Sequence, residues 1–95
     1  MVNRSYRIGY NFERRVIKYL ESHGYFVIRS GKSRFPDGIA VHKNGCVLIF
    51  ECKVNKYLSR EEKKRAAEIY EKTGIKLTVF WREKKPSYKL HCYEV

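Results

Sequence analysis

Three ionisable residues in the middle of this chain, Asp37, Glu51 and Lys53, have types and spacing suited to hydrolysis of a phosphate ester. Asp37 follows Pro36, and thirteen residues separate it from the triplet Glu51-Cys52-Lys53. Side chains alternate along an extended strand, so Glu51 and Lys53 project from one face and Cys52 from the other. The pair closes an apolar run, Cys46-Val47-Leu48-Ile49-Phe50. Charge at the end of such a strand is costly unless it is paired or bound to a cation. Carboxylates suit a hard divalent ion such as Mg²⁺, which takes oxygen ligands and keeps several waters. Mn²⁺ is expected to substitute, and the backbone carbonyl of Cys52 is a further candidate ligand. Such an ion lowers the pKa of bound water and polarises a phosphoryl oxygen. Lys53 would orient the nucleophile, deprotonate it, or stabilise developing charge; the sequence leaves these roles open.

Whether Asp37 reaches the pair depends on the turn that joins the two strands. A two-residue turn at Asn44-Gly45 would set Asp37 against Cys52 and turn it away from Glu51. A three-residue loop, Lys43-Asn44-Gly45 with Gly45 left-handed in a G1 bulge, moves the pairing by one and sets Asp37 across from Glu51. Cross-strand neighbours lie ~5 Å apart, near enough to share one cation. The three-residue loop is therefore the predicted register. Glu13 is a fourth candidate, because on a helical wheel it falls inside the apolar arc between Ile17 and Leu20. By itself that position is better explained by an ion pair with a neighbouring arginine at the rim of the arc. Beside Asp37 and Glu51 it becomes a candidate ligand or supporting group.

The elements that must position these residues follow from periodicity. Ile8, Phe12, Val16, Tyr19 and Leu20 predict a helix over residues 8–23, stopped by Gly24. Strands are predicted at 25–29, 38–42 and 46–54, the last apolar on both faces and so central in its sheet. Ser59-x-x-Glu62 is a capping box opening a charged helix that Gly74 closes, with a narrow stripe of Ala66, Ile69 and Tyr70. Two more strands, 77–81 and 88–93, flank a turn at 84–87. The expected fold is α/β in the order α-β-β-β-α-β-β, a mixed central sheet flanked by helices. With 95 residues and no linker, repeat or low-complexity segment, residues 1–95 are read as one domain.

Composition narrows the partners. Lys and Arg number 21 against 10 Asp and Glu, a formal charge of +11 that draws polyanions to so small a body. Nucleic acid is the first partner implied and an anionic membrane surface the second. No run is apolar enough to span a bilayer and no signal peptide is visible, so a cytoplasmic location is expected. Cys46, Cys52 and Cys92 match no metal spacing and are read as free, buried thiols in a reducing compartment. His23, His42 and His91 fit no triad or zinc pattern. Arg29, Lys32 and Arg34 precede Asp37, while Lys56 and Arg60 follow Lys53, so positive charge brackets the site. Lys63-Lys64-Arg65 is read as a solvated helix face. Phe80, Trp81, Tyr88 and Tyr93 are read as core or interface.

Four segments together carry a resemblance: Arg7-x-Gly9-x₃-Glu13-Arg14, the stretch from Gly24 to Ser30, Pro36-Asp37 and Glu51-Cys52-Lys53. As an ordered set they resemble the PD-(D/E)xK nucleases, and within these the archaeal Holliday-junction resolvases. The resemblance implies a restriction-endonuclease-like fold in a homodimer that nicks four-way DNA junctions symmetrically with Mg²⁺. It implies catalytic roles for Glu13, Asp37, Glu51 and Lys53. Arg7, Arg14 and the loop Ser30-Gly31-Lys32-Ser33 would contact the DNA backbone. An archaeal or archaeal-virus source and association with the nucleoid are implied as well. The loop between Ser30 and Asp37 is short, which bears on substrate preference and not on the catalytic set. Two rivals stand beside this reading. One is a nuclease of the same fold acting on other DNA, of restriction or repair type. The other is a non-catalytic basic module that binds DNA by charge alone.

Overall fold

Phe12, Val16 and Leu20 recur every four residues, and in α1 (Arg4–Ser22) they are the three buried side chains. The helix starts one turn earlier than its apolar period requires, because Arg4 to Arg7 contain neither glycine nor proline to break it. Gly24, at φ +89°, turns the chain into β1. The computed structural model describes residues 4–31 and 34–95. Within these, α1 is followed by β1 (Tyr25–Arg29), β2 (Gly38–His42), β3 (Val47–Cys52), α2 (Arg60–Thr73), β4 (Leu77–Arg82) and β5 (Leu90–Glu94). The expected order α-β-β-β-α-β-β holds.

The strands form one mixed sheet in sequence order, β1-β2-β3-β4-β5. β3 lies at its centre, as its two-sided apolar character requires. Neighbours are antiparallel except β3 and β4, which are parallel and joined through α2. α1 covers one face, where Phe12, Val16 and Leu20 pack with Ala40, Phe50 and Phe80. Burying a side chain such as Phe50, which is fully inaccessible, contributes roughly 1.5–3 kcal/mol. α2 covers the other face through Ala66, packed with Ile49, Leu58, Leu77 and Val79. Its start is set by the predicted capping box at Ser59 and Glu62, and its end by Gly74 at φ +74°. Tyr70 departs from the expected stripe: it is half exposed, and the sheet side of α2 is held by Ala66 and Ile69.

α2 covers only the β3–β4 side of its face. On the β1–β2 side, Phe26, Val41 and Val47 form one cross-strand row, and Ile28 and Ile39 continue to Ile49 in the next. The first five are all exposed, Phe26 by 71%.

Two further expectations are corrected. Cys46 and Cys92 are exposed and only Cys52 is partly buried, because Cys46 sits in the hairpin loop and Cys92 on edge strand β5. β5 begins at Leu90 and not at 88, since Tyr88 adopts a left-handed φ of +51° that no strand accommodates.

Candidate active site

The β2–β3 ladder pairs Val41 with Val47, Ala40 with Leu48, Ile39 with Ile49 and Gly38 with Phe50. This is the register of a three-residue loop: the His42 amide donates to the Cys46 carbonyl, and Gly45 is left-handed at φ +94°. One step beyond the last pair, Asp37 meets Glu51. There the ladder stops and side chains take over. The Cys52 amide donates to Asp37 Oδ2 at 2.7 Å, a backbone-to-carboxylate bond in place of a ladder bond. In an extended residue the amide and carbonyl leave on the same edge, so the Cys52 carbonyl points to the Asp37 side too. Gly38 leaves room for the β1 backbone and the Phe50 ring beside this point. A Cβ there would lie 2.5 Å from the Ile28 carbonyl and 3.0 Å from the Phe50 ring.

A cavity of about 590 Å³ opens at this point, lined by Tyr6, Gly9, Tyr10 and Glu13 from α1 with Arg29, Asp37, Glu51 and Cys52. Glu51 is buried, at 7% exposure. Burial and the neighbouring Asp37 carboxylate raise its pKa to about 8. Burial also raises that of Asp37, with Glu13 adding to the effect against the opposing Cys52 amide bond. The Cys52 thiol is pushed well above the usual thiol range by burial and the same carboxylates, so it stays protonated and unreactive. Mutually repelling carboxylates at one point are the arrangement a cation relieves.

Glu51 Oε1 is buried without a hydrogen-bond partner, and such an atom needs a ligand. The two-carboxylate centre therefore fits a hard cation. Among the described residues, however, no three His, Cys, Asp or Glu side chains already surround one point. Glu13 shares the cavity, but its Oε2 accepts from Arg29 Nε at 3.1 Å. Glu13 thus has an arginine partner, but it is Arg29 at the end of β1 and not an arginine at the rim of the helical arc.

Lys53 lies where strand alternation puts it, 3.6 Å from Glu51 Oε2. Its shorter contact is to Glu62 Oε2, at 2.6 Å. The other Glu62 oxygen accepts from the Ser59 amide at 2.9 Å, so one carboxylate both closes the α2 capping box and clamps Lys53. Burial works against the lysine charge, but the hydrogen bond to Glu62 and the nearby carboxylates outweigh it and raise the Lys53 pKa. Glu62 responds in the opposite sense: burial disfavours its charge, yet Lys53 and the Ser59 amide lower its pKa. Sequence reasoning gave Glu62 a capping role alone. The spacing of Ser59-x-x-Glu62 just after Lys53 was the only available signal, and it cannot tell where the second oxygen points.

The expected DNA-contacting residues divide among several places. Arg29 and Ser30 line the cavity. Ser30 also ties its loop shut, its hydroxyl donating to the Pro36 carbonyl at 2.6 Å and its amide to the Asp37 carbonyl at 2.8 Å. Arg14 is exposed on α1 and reaches the Tyr10 hydroxyl at 3.3 Å. Arg34 is exposed, and Arg60 opens α2. Lys56 is held over the Trp81 ring at 4.7 Å. Arg7 faces away from the cavity, on the other side of α1. Lys32 and Ser33 lie outside the described residues.

Residues 4–94 match a model of the archaeal Holliday junction resolvase (hjc) family. A curated relative, crossover junction endodeoxyribonuclease Hjc of Methanocaldococcus jannaschii, is 41% identical over 75 residues. That stretch covers 75% of this chain and 56% of the relative, so this chain spans little more than half of the relative's length. A solved structure of Archaeoglobus fulgidus Hjc, a Holliday junction resolvase from an archaeal hyperthermophile, superimposes with a TM-score of 0.70 at 24% identity. The match covers 90% of this chain and 71% of that one, and shows a shared fold.

Proposed function

This chain belongs to the archaeal Holliday junction resolvase family, and from that premise we propose that it is a metal-dependent endonuclease that resolves four-way DNA junctions by paired symmetric nicks. The observation that carries the reading is the end of the β2–β3 ladder. There Asp37 and Glu51 converge, Glu51 Oε1 has no partner, and Lys53 is held beside them.

Asp37, Glu51 and the Cys52 carbonyl would hold Mg²⁺ or Mn²⁺, with Glu13 as a further or supporting carboxylate. Bound there, the ion would supply an acidified water and charge neutralisation at the scissile phosphate. The chain's own contribution is positional and electrostatic. Lys53, kept protonated by Glu62, is unsuited to act as a base and serves as a fixed cation. It stabilises negative charge as water attacks phosphorus and the bond to the leaving oxygen breaks. Arg29, reached through Glu13, would bind the adjacent phosphate, with Arg14, Arg34, Lys56, Arg60 and the 30–33 loop as further backbone contacts.

Paired cutting needs two such sites related by a two-fold axis. The bare apolar rows on β1, β2 and β3, centred on Phe26, Ile28, Ile39 and Val41, favour a homodimer formed through that face. Phe26→Asp is expected to give monomers by analytical ultracentrifugation and to uncouple the two nicks. No helix among the described residues is long and apolar enough to cross a membrane. A cytoplasmic, nucleoid-associated role in an archaeal host is the setting that suits this activity.

The test uses purified protein, Mg²⁺ and labelled DNA as a four-way junction, a bubble and a linear duplex. Symmetric paired nicks in the junction alone, abolished by EDTA, are expected. Equal cutting of the linear duplex would favour a restriction- or repair-type substrate. Binding without any cutting would favour a non-catalytic module.

A further inference from the structure

The face of α1 turned away from the cavity carries a second charge cluster that the cleavage mechanism does not use. Arg4 and Arg7 on the helix meet Arg82, Lys84 and Lys85 at the β4–β5 turn, forming a cleft of about 740 Å³. No carboxylate among the described residues lines it. Among the described residues, Arg4, Arg7, Lys84 and Lys85 have no ion-pair partner, whereas Arg29 at the cavity and Lys53 beside Glu51 both do. The first turn of α1 contains no acidic residue to offset the cluster. Unpaired cations gathered from two distant segments repel one another, and a polyanion removes that cost.

The cleft is also held in shape. Arg15 donates to the Tyr88 carbonyl at 2.6 Å, and the Arg82 guanidinium stacks 4.7 Å over the Tyr88 ring. Tyr88 itself is left-handed at φ +51°, a conformation a tyrosine keeps only where its surroundings impose it. These ties hold the β4–β5 turn against α1, so the backbone that carries Lys84 and Lys85 stays beside Arg4 and Arg7. A concave basic channel suits a rod-like phosphate backbone, while a flat anionic bilayer would touch only its rims.

We propose that this cleft is a second phosphate-binding track that takes the backbone of a DNA arm leaving the cleavage cavity. The inference rests on the DNA-cleaving reading above and extends it to residues outside the site. α1 separates cavity and cleft: Ser5, Tyr6, Gly9, Tyr10 and Glu13 face the first, and Arg4, Arg7, Ile8 and Asn11 the second. A helix is ~10 Å across with its side chains. At ~3.4 Å per phosphate along one strand, that is a step of about three nucleotides. One DNA backbone can therefore touch both.

The test is equilibrium binding of a fluorescent four-way junction across a salt series, in Ca²⁺ and without cleavage. Lys84 and Lys85 are exposed, so the double variant K84Q/K85Q should fold as the parent does, checked by thermal melting. It is expected to reduce the slope of log affinity against log salt by about two, since each lost phosphate contact removes ~0.9. K63Q/K64Q, with the same charge change on exposed α2, is expected to change the slope far less. Equal slopes for the two variants, or a K84Q/K85Q slope matching the parent, would overturn the proposal. So would loss of binding to phosphatidylserine vesicles with the DNA slope unchanged. Because binding is read without cleavage, a parent that binds and never cuts defeats only the nuclease reading.

Discussion

The two sides of α1 hold charge in opposite ways. In the cavity, Glu51 is buried and Asp37 and Glu13 are half-buried, and these carboxylates are restrained by named partners: the Cys52 amide for Asp37, Arg29 for Glu13 and Lys53 for Glu51. In the cleft, Arg4, Arg7, Lys84 and Lys85 are exposed and have no ion-pair partner among the described residues. Buried charge costs folding energy and fixes geometry, which is what a bond-breaking site needs. Exposed charge costs folding little and acts at range, with a strength set by salt. On the proposed reading, one helix separates a region for chemistry from one for adhesion, and changes on its two sides should have different signatures.

The largest effect is expected in the cavity. Asp37→Asn or Glu51→Gln should lower the single-turnover cleavage rate by at least ~10³-fold, about 4 kcal/mol of lost transition-state stabilisation. Junction affinity should hold or rise, because a carboxylate that repels phosphate has gone. Parental cleavage in both variants would remove the proposed site.

Next comes a pH signature. The Glu51 pKa is raised from 4.5 to about 8, so the folded chain keeps a proton that the unfolded chain releases. The cation-free protein is therefore least burdened below pH 4.5 and loses stability as pH rises from 4.5 to about 8, by a few kcal/mol. Each kcal/mol moves the melting temperature by ~4–8 °C in a domain of this size. Glu51→Gln should flatten that dependence, and Mg²⁺ should stabilise the parent more at pH 8 than at pH 5. A parent and variant with the same pH profile would contradict the buried charge.

A smaller effect separates the two tasks of Glu62. Glu62→Gln keeps an acceptor for the Ser59 amide, so α2 should lose less than about 1 kcal/mol. It removes the charge that holds Lys53, and cleavage should slow by about tenfold, ~1.4 kcal/mol. An unchanged rate would reduce Glu62 to a helix cap.

Much of this was legible in sequence because the signals were local. Asn44-Gly45 and the two carboxylates selected one hairpin register, and the ladder has it. Ser59, Glu62 and Gly74 bounded α2, and the two-sided run ending at Phe50 placed β3 centrally. What stayed hidden depends on contacts between distant segments. The Glu62 oxygen that reaches Lys53 requires the crossover to be formed, and Arg82, Lys84 and Lys85 meet α1 from some seventy residues further on. Cysteine burial failed for a related reason: residue type gives an average tendency, whereas a loop tip or an edge strand decides the individual case.

The three-residue loop Lys43-Asn44-Gly45 has a consequence for changes of chain length. Surface turns ordinarily absorb insertions and deletions, and this one touches nothing in the cavity. Yet it acts as a ruler for the strand pair. Removing one residue would rotate Asp37 to the opposite face while leaving a well-formed hairpin. A chain that keeps Asp37 opposite Glu51 must therefore keep the length of a remote turn or restore the register with a bulge elsewhere in the pair.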